Sequence, residues 1–155
     1  MSPRLVRALR RAIVSVGGIG FLPRAPATAG TLAGAAVFLG FRPTLRRQVV
    51  LVGAAAILGH ICSAPLATPD ARDPQYIVID EVAGVWLALM ALPPTAMTCG
   101  SGAVVFRILD KLKPGPIGLI DRRGGHWSVM GDDLAAGLCG NLILRVGKAA
   151  IGAPR

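Results

Sequence analysis

The stretch that decides the fold is IVIDEVAGVWLALMALPP, residues 77–94. Its apolar run is interrupted by charge only at Asp80 and Glu81 near the start, and it ends at Pro93-Pro94, a pair that breaks a helix. We therefore interpret residues 77–92 as a helix. The two prolines then form the turn of a helical hairpin, whose second arm is the apolar segment 95–109.

Three further apolar segments lie outside this hairpin, at residues 28–41, 48–67 and 134–146. Only residues 48–67 approach the roughly 20 residues that cross a bilayer comfortably. Small residues are frequent in these segments and β-branched alternation is scarce, which is typical of helices that pack closely in lipid. The sequence thus predicts an all-α fold: a compact multi-helix bundle with several short membrane-embedded helices, in a single domain over residues 1–155.

The composition is that of a small membrane protein. Hydrophobic residues make up 53% of the chain and charged residues 16%, against about 25% in soluble domains, and the mean hydropathy is +0.59. The net charge of +9 comes from basic residues that flank apolar segments, and aromatic residues are only 5% of the chain, so anionic lipid fits better than nucleic acid. Residues 1–16 are predicted to form a basic amphipathic helix on the membrane surface, and residues 148–155 a short tail.

Most of the acidic residues stand at the ends of apolar segments. They are Asp80, Glu81, Asp110, Asp132 and Asp133. If the hairpin forms and residues 110–131 are a loop that does not cross the membrane, these five carboxylates meet on one face. Adjacent carboxylates at an apolar helix end are expensive to bury as anions unless a divalent cation neutralises them. The alternative is that Asp80 caps its helix while Glu81 interacts with the helix dipole.

The pattern Asp-x-x-Ala-Gly occurs twice, from Asp80 to Gly84 and from Asp133 to Gly137. A glycine about one turn after each Asp allows a neighbouring backbone or a headgroup to approach closely. The repeat suggests two helix starts that are built alike and face one pocket.

Two other stretches provide candidate phosphate ligands. Arg107 and Lys113 flank Asp110 at the end of a segment, where they either bind phosphate oxygens or stabilise the helix C-terminus. Residues 17–31 form a glycine-rich loop that leads through Thr28 and Thr31 into a helix. Such a loop offers backbone N–H groups and hydroxyls to an anion, or is a plain capped loop.

Taken in order, these stretches resemble the phosphatidylglycerophosphatase A family of bacterial membrane phosphatases, over about residues 17–140. The resemblance rests on four stretches: Pro23, Ala25-Pro26, Thr28 and Gly30-Thr31; Asp73-Pro74 with Ile77 to Trp86; Phe106-Arg107 through Asp110 to Lys113-Pro114 and Pro116-Ile117; and Gly124-Gly125 with Asp132-Asp133 and Ala136-Gly137. The chain departs from the family pattern at Ala27, Gly115 and Gly131, of which only Ala27 touches the candidate phosphate loop.

The resemblance implies magnesium-dependent hydrolysis of phosphatidylglycerophosphate to phosphatidylglycerol and phosphate, by a mainly helical enzyme of the bacterial inner membrane. On this hypothesis the Mg²⁺ ligands are Asp80, Glu81, Asp110, Asp132 and Asp133, and the catalytic carboxylates are Asp80, Glu81, Asp110 and Asp133. The phosphate-binding residues would be Arg107, Lys113, Arg24, Thr28 and Thr31. Attack by water and attack by a carboxylate through an aspartyl-phosphate both stay open.

The positive-inside rule predicts that the carboxylate face of this multi-pass protein is cytoplasmic. Arg42, Arg46 and Arg47 would lie on the opposite side if residues 28–41 cross the membrane, so a re-entrant segment is the alternative there and the number of crossings stays open. Two other functions fit the composition: a phosphatase of other lipid phosphates, and a small non-enzymatic membrane scaffold. A scaffold would tolerate neutralisation of the five carboxylates and would gain no stability from Mg²⁺. The sequence leaves the oligomeric state open.

Overall fold

The computed structural model describes residues 2–66, 74–124 and 126–152. These residues contain seven α-helices and no β-strand, which confirms the predicted all-α bundle. The helices are α1 (Pro3–Val14), α2 (Pro26–Phe41), α3 (Leu45–Ser63), α4 (Ile79–Leu89), α5 (Ala96–Leu112), α6 (Pro116–Arg123) and α7 (His126–Gly152). Asp73 and Gly125, which carry part of the resemblance, lie outside the described residues.

Helix α4 lies at the centre of the bundle. Nine of its eleven residues are buried, and it packs against α2, α3, α5 and α7. A helix that is apolar all round is stabilised by such enclosure. Asp80 and Glu81 lie in its first turn and are buried with the rest. Pro93 and Pro94 follow the helix, and α5 packs back against it as the predicted hairpin requires.

Helices α4 and α7 cross with their backbones in near contact. A Cβ atom on Gly137 would lie 2.3 Å from the carbonyl oxygen of Gly84, and one on Gly84 would lie 2.9 Å from the carbonyl oxygen of Asp133. Glycine is the residue that permits this approach without a clash. The two Asp-x-x-Ala-Gly stretches therefore face each other across the crossing, as the sequence suggests.

Asp132 and Asp133 do not open their helix, contrary to the prediction. Helix α7 runs over His126–Gly152, so both residues lie in its interior. The apolar segment 134–146 marks only part of this helix, because its first turns are stabilised by packing, with Met130 3% exposed in the core. The helix also continues through 148–152, within the segment that the sequence predicts as a tail.

The predicted loop over residues 110–131 contains the additional helix α6. Pro116 at its first position supplies a helical φ angle, and Gly115 before it adopts a φ of 53°. The helix is anchored by Ile117, which is 1% exposed and belongs to the main core. So short an element carries too little apolar periodicity to be recognised from sequence.

The bundle has two ends, and α3 and α4 run antiparallel between them. Gly59, near the end of α3, packs against the start of α4. Gln48, near the start of α3, accepts a hydrogen bond of 2.8 Å through Oε1 from the backbone N–H of Ala91, just after α4. We call the end with Asp80 the site end and the end with Gln48 the far end. Arg46, two residues before Gln48, lies at the far end.

Among the described helices, α3 is the one long and apolar enough to cross a membrane, with 19 residues. Helix α2 is apolar but shorter, with 16 residues. Large apolar side chains point away from the bundle on α3, including Val50 and Ile57, which are 62% and 61% exposed. So much exposed apolar surface is unusual for a soluble monomer. Helix α1 lies within the segment predicted as a basic amphipathic helix.

Candidate metal and phosphate site

Three buried carboxylates from two helices meet at the site end. Asp80 and Glu81 come from the first turn of α4, and Asp133 comes from α7. Each offers an oxygen, and these oxygens all lie within 4.8 Å of one another. The close crossing of α4 and α7 at Gly84 and Gly137 produces this meeting, because each Asp lies about one turn before its glycine. We call Asp80, Glu81 and Asp133 the carboxylate trio.

The carboxylate trio has the properties of a cation site. Glu81 Oε2 and Asp133 Oδ1 are buried and have no hydrogen-bond partner among the described residues. Burial, together with the charge of Glu81, raises the pKa of Asp133 well above its ordinary value. Burial likewise raises the pKa of Glu81, although Asp80 and Arg107 partly offset this. Such anions are costly unless a cation neutralises them, and three carboxylate oxygens form a donor set suited to Mg²⁺.

Arg107 forms one wall of the site. Its Nη1 atom lies 2.8 Å from Asp110 Oδ2 and 3.7 Å from Glu81 Oε1. Asp110, three residues after Arg107 on α5, therefore stands next to the carboxylate trio at its edge. The guanidinium compensates only part of the negative charge of these four carboxylates, so the site keeps its attraction for a cation.

Asp132 belongs to a second group of charges beside the site. The Nζ atom of Lys113 donates to Asp132 Oδ2 at 2.7 Å and to Asp121 Oδ1 at 2.5 Å. Burial lowers the pKa of Lys113, but the hydrogen bonds and charges of the two Asp residues more than reverse this and hold it well above its ordinary value. In this arrangement Asp132 and Lys113 bind each other, and neither lies in the trio.

The candidate phosphate ligands of the α2 region are placed differently from one another. Thr28 is exposed and lines a groove together with Arg107. Thr31 is fully buried and donates its hydroxyl hydrogen to the carbonyl oxygen of Ala27 at 3.0 Å. Arg24 is exposed in the loop before α2.

Lys111 is a cation of this region that the sequence reasoning did not select as a site residue. It is exposed and lines the same groove as Arg107. The spacing could have indicated it, because Lys111 follows Arg107 by four residues and residues four apart lie on the same face of a helix. Its position after Asp110 made it look like one of several cations at a helix C-terminus.

Known proteins resemble this chain over most of its length. A family model described as Phosphatidylglycerophosphatase A matches residues 12–148. Phosphatidylglycerophosphatase A of Escherichia coli is 35% identical over 131 residues, covering 81% of this chain and 76% of the relative. The protein of the same name from Haemophilus influenzae is 32% identical over 132 residues, covering 81% of each chain.

A further relative carries a different name. A protein of Bacteroides thetaiotaomicron, provisionally named phosphatidylinositol-3-phosphatase, is 30% identical over 144 residues, covering 87% of this chain and 91% of the relative. No solved structure matches the chain significantly.

Proposed function

Because the chain belongs to the phosphatidylglycerophosphatase A family, we propose that it hydrolyses phosphatidylglycerophosphate to phosphatidylglycerol and inorganic phosphate at the carboxylate trio. In this reaction water supplies the oxygen that bonds to phosphorus, and the released alcohol oxygen takes up a proton. The observation that carries the proposal is the buried cluster of Asp80, Glu81 and Asp133 beside Arg107.

We propose that Asp80, Glu81 and Asp133 hold Mg²⁺. Asp110 lies at the edge of the site, and Asp132, which binds Lys113, is a further candidate ligand beside it. The donor set supports this, since oxygen ligands and two orphaned buried carboxylate oxygens suit a hard divalent cation. A bound Mg²⁺ would neutralise negative charge on the phosphoryl oxygens and so assist the displacement of the alcohol from phosphorus.

Side chains of the protein would bind the phosphate and transfer the proton. Arg107 is our candidate to bind and orient the terminal phosphate, since its guanidinium stands beside the carboxylate trio and suits two phosphate oxygens at once. Thr28 and Arg24 would add phosphate contacts from the α2 side. Lys113 and Thr31 would hold the surrounding structure in place through their hydrogen bonds to Asp132 and to the Ala27 carbonyl oxygen. Asp110, partly exposed and paired with Arg107, is our candidate to accept a proton from the attacking water.

We further propose that the site end faces the cytoplasm in a multi-pass protein of the bacterial inner membrane. The basic residues Lys111, Arg122 and Arg123 lie around the site end on α5 and α6, and such residues favour the cytoplasmic side. Helix α3, which runs from the far end to the site end, is the candidate span.

The test is phosphate release from phosphatidylglycerophosphate by the full chain in detergent micelles, with Mg²⁺ and with EDTA. Asp80→Asn and Asp133→Asn should each lower the rate about 100-fold or more, because each removes a charged ligand. The matched control is Asp121→Asn, an exposed carboxylate outside the trio, which should stay close to the unchanged protein. Full activity of folded Asp80→Asn protein, or equal rates in EDTA and Mg²⁺, would refute the site.

Another lipid phosphate is the second candidate substrate, favoured by the relative named for phosphatidylinositol 3-phosphate. The same assay with phosphatidylinositol 3-phosphate and phosphatidic acid decides between them. We expect the highest kcat/KM with phosphatidylglycerophosphate. A higher value with either other lipid would reassign the substrate while keeping the carboxylate trio as the site.

A further inference from the structure

An apolar groove lies between α2 and α5, and Arg107, which borders the carboxylate trio, lines part of it. Its volume is about 640 Å³, within the usual range of small-molecule sites. The residues that line it include Thr28, Leu32, Gly100, Val104, Arg107 and Lys111. We call it the α2–α5 groove. Its exposed lining is apolar even where it passes charged residues, so the carbon stems of those side chains form its wall.

The α5 wall of the groove changes character along its length. Gly100, Val104, Arg107 and Lys111 are three or four residues apart, so they follow one face of the helix. Between Gly100 and Lys111 the helix rises about 16 Å. The groove therefore has an apolar lining throughout, and two cations border it at the end away from Gly100, an arrangement that suits an elongated molecule with an apolar chain and an anionic head.

Arg107 belongs to both the groove and the candidate site. It lines the groove, while its guanidinium reaches Asp110 and Glu81 at 2.8 and 3.7 Å. A molecule whose anionic end contacts Arg107 in the groove would therefore have that end beside the carboxylate trio. Leu32 and Val104, which are 58% and 59% exposed, leave the groove open to the surroundings of the bundle along its side.

Resting on the proposed function, we propose that the α2–α5 groove binds an acyl chain of the lipid phosphate substrate and thereby aligns its terminal phosphate with Arg107 and the carboxylate trio. Bilayer hydrocarbon is as apolar as the groove, so moving a chain between them changes the hydrophobic free energy little. The groove therefore acts by orienting the substrate, and a misplaced reacting group costs rate even when binding persists.

Gly100→Phe tests the proposal. A Cβ atom on Gly100 would meet nothing within 4 Å, so the ring can occupy the groove without displacing the backbone. Gly53→Phe on α3 is the matched control, since Gly53 also has open space around its Cβ position but lies outside the groove. Val104→Trp blocks the same groove from a second position on α5 and serves if Gly100→Phe protein does not fold.

The first measurement compares long-chain phosphatidylglycerophosphate with its deacylated, water-soluble headgroup. Gly100→Phe should lower kcat/KM for the long-chain lipid at least about tenfold and leave hydrolysis of the deacylated headgroup within about twofold. Gly53→Phe should change neither. Equal losses on both substrates, or no loss on the lipid, would overturn the proposal.

The second measurement needs no turnover and so separates this proposal from the proposed function. Phosphatidic acid with a photoactivatable group in one acyl chain should label α2 and α5, and Gly100→Phe should abolish this labelling. Labelling elsewhere, or equal labelling by a phosphatidylcholine probe that lacks a phosphomonoester, would overturn the groove assignment. Labelling of the groove in a chain that releases no phosphate would instead refute the proposed function alone.

Discussion

At the scale of single residues, Asp133 is expected to lower the stability of the protein in the absence of a bound cation. Its carboxylate is buried within 4.8 Å of the oxygens offered by Asp80 and Glu81. Asp133→Asn removes one of these charges, so in EDTA we expect a higher unfolding temperature than for the unchanged protein. The measurement is thermal unfolding in detergent, with EDTA throughout. A lower unfolding temperature would show that the negative charge of Asp133 is itself stabilising.

Addition of Mg²⁺ should reverse this order. An ion present at about 100 times its dissociation constant stabilises the folded protein by about 2.7 kcal/mol. Unchanged protein should therefore gain unfolding temperature on addition of Mg²⁺, whereas Asp133→Asn should gain little. Asp121→Asn, which leaves the carboxylate trio intact, should respond like the unchanged protein. The scaffold hypothesis predicts no response of the unchanged protein to Mg²⁺, so the same titration tests it.

Lys113 provides a second prediction at this scale, because it joins α5 to Asp121 of α6 and Asp132 of α7. Lys113→Met leaves Asp132 buried without its cation, and we expect a loss of about 1–3 kcal/mol in the free energy of unfolding. Asp132→Asn added to Lys113→Met should recover much of this loss, because it removes the uncompensated charge. Additive losses in the double variant would show that the two side chains are not coupled.

At the scale of helices, the crossing of α4 and α7 determines the geometry of the site. Gly137→Ala would place a Cβ atom 2.3 Å from the Gly84 carbonyl oxygen, so the helices must separate. We expect a loss of about 1–3 kcal/mol in the free energy of unfolding, together with weaker Mg²⁺ binding, since the crossing brings Asp80 and Asp133 together.

The matched control is Gly147→Ala on the same helix. A Cβ atom there would meet nothing within 4 Å, so the higher helix propensity of alanine should stabilise the protein by up to about 1 kcal/mol. Thermal unfolding of both variants, with and without Mg²⁺, provides the comparison. Equal stability of Gly137→Ala and Gly147→Ala would contradict the close crossing.

At the scale of the whole molecule, the proposed topology places the two ends of the bundle on opposite sides of the membrane. Arg122 on α6 lies at the site end and Arg46 on α3 at the far end, and both are exposed. A membrane-impermeant maleimide should label Arg122→Cys only in inside-out vesicles and Arg46→Cys only in right-side-out vesicles. Labelling of the unchanged protein measures the background from the native cysteines, two of which are buried. Labelling of both positions from one side would contradict the proposed crossing.

The pattern along the chain was sufficient for the fold class and for part of the candidate site. Apolar segments broken by Pro93-Pro94 predict the helical hairpin, and the two Asp-x-x-Ala-Gly stretches predict that Asp80 and Asp133 face one pocket. These features are local, since a helix and the residues on one of its faces follow from a period of about 3.6 residues. Helix α6 and the early start of α7 escaped prediction, because packing rather than apolar periodicity stabilises them.

By itself, then, the sequence determined the all-α class, most of the helices and the residue types available for metal and phosphate chemistry. Only the tertiary structure decided which of them meet: Asp133 joins the carboxylate trio while its neighbour Asp132 binds Lys113. Adjacent residues on a helix point about 100° apart, so only the way α7 crosses α4 selects the one that enters the site. The same holds for the α2–α5 groove, whose two walls come from helices far apart in the chain.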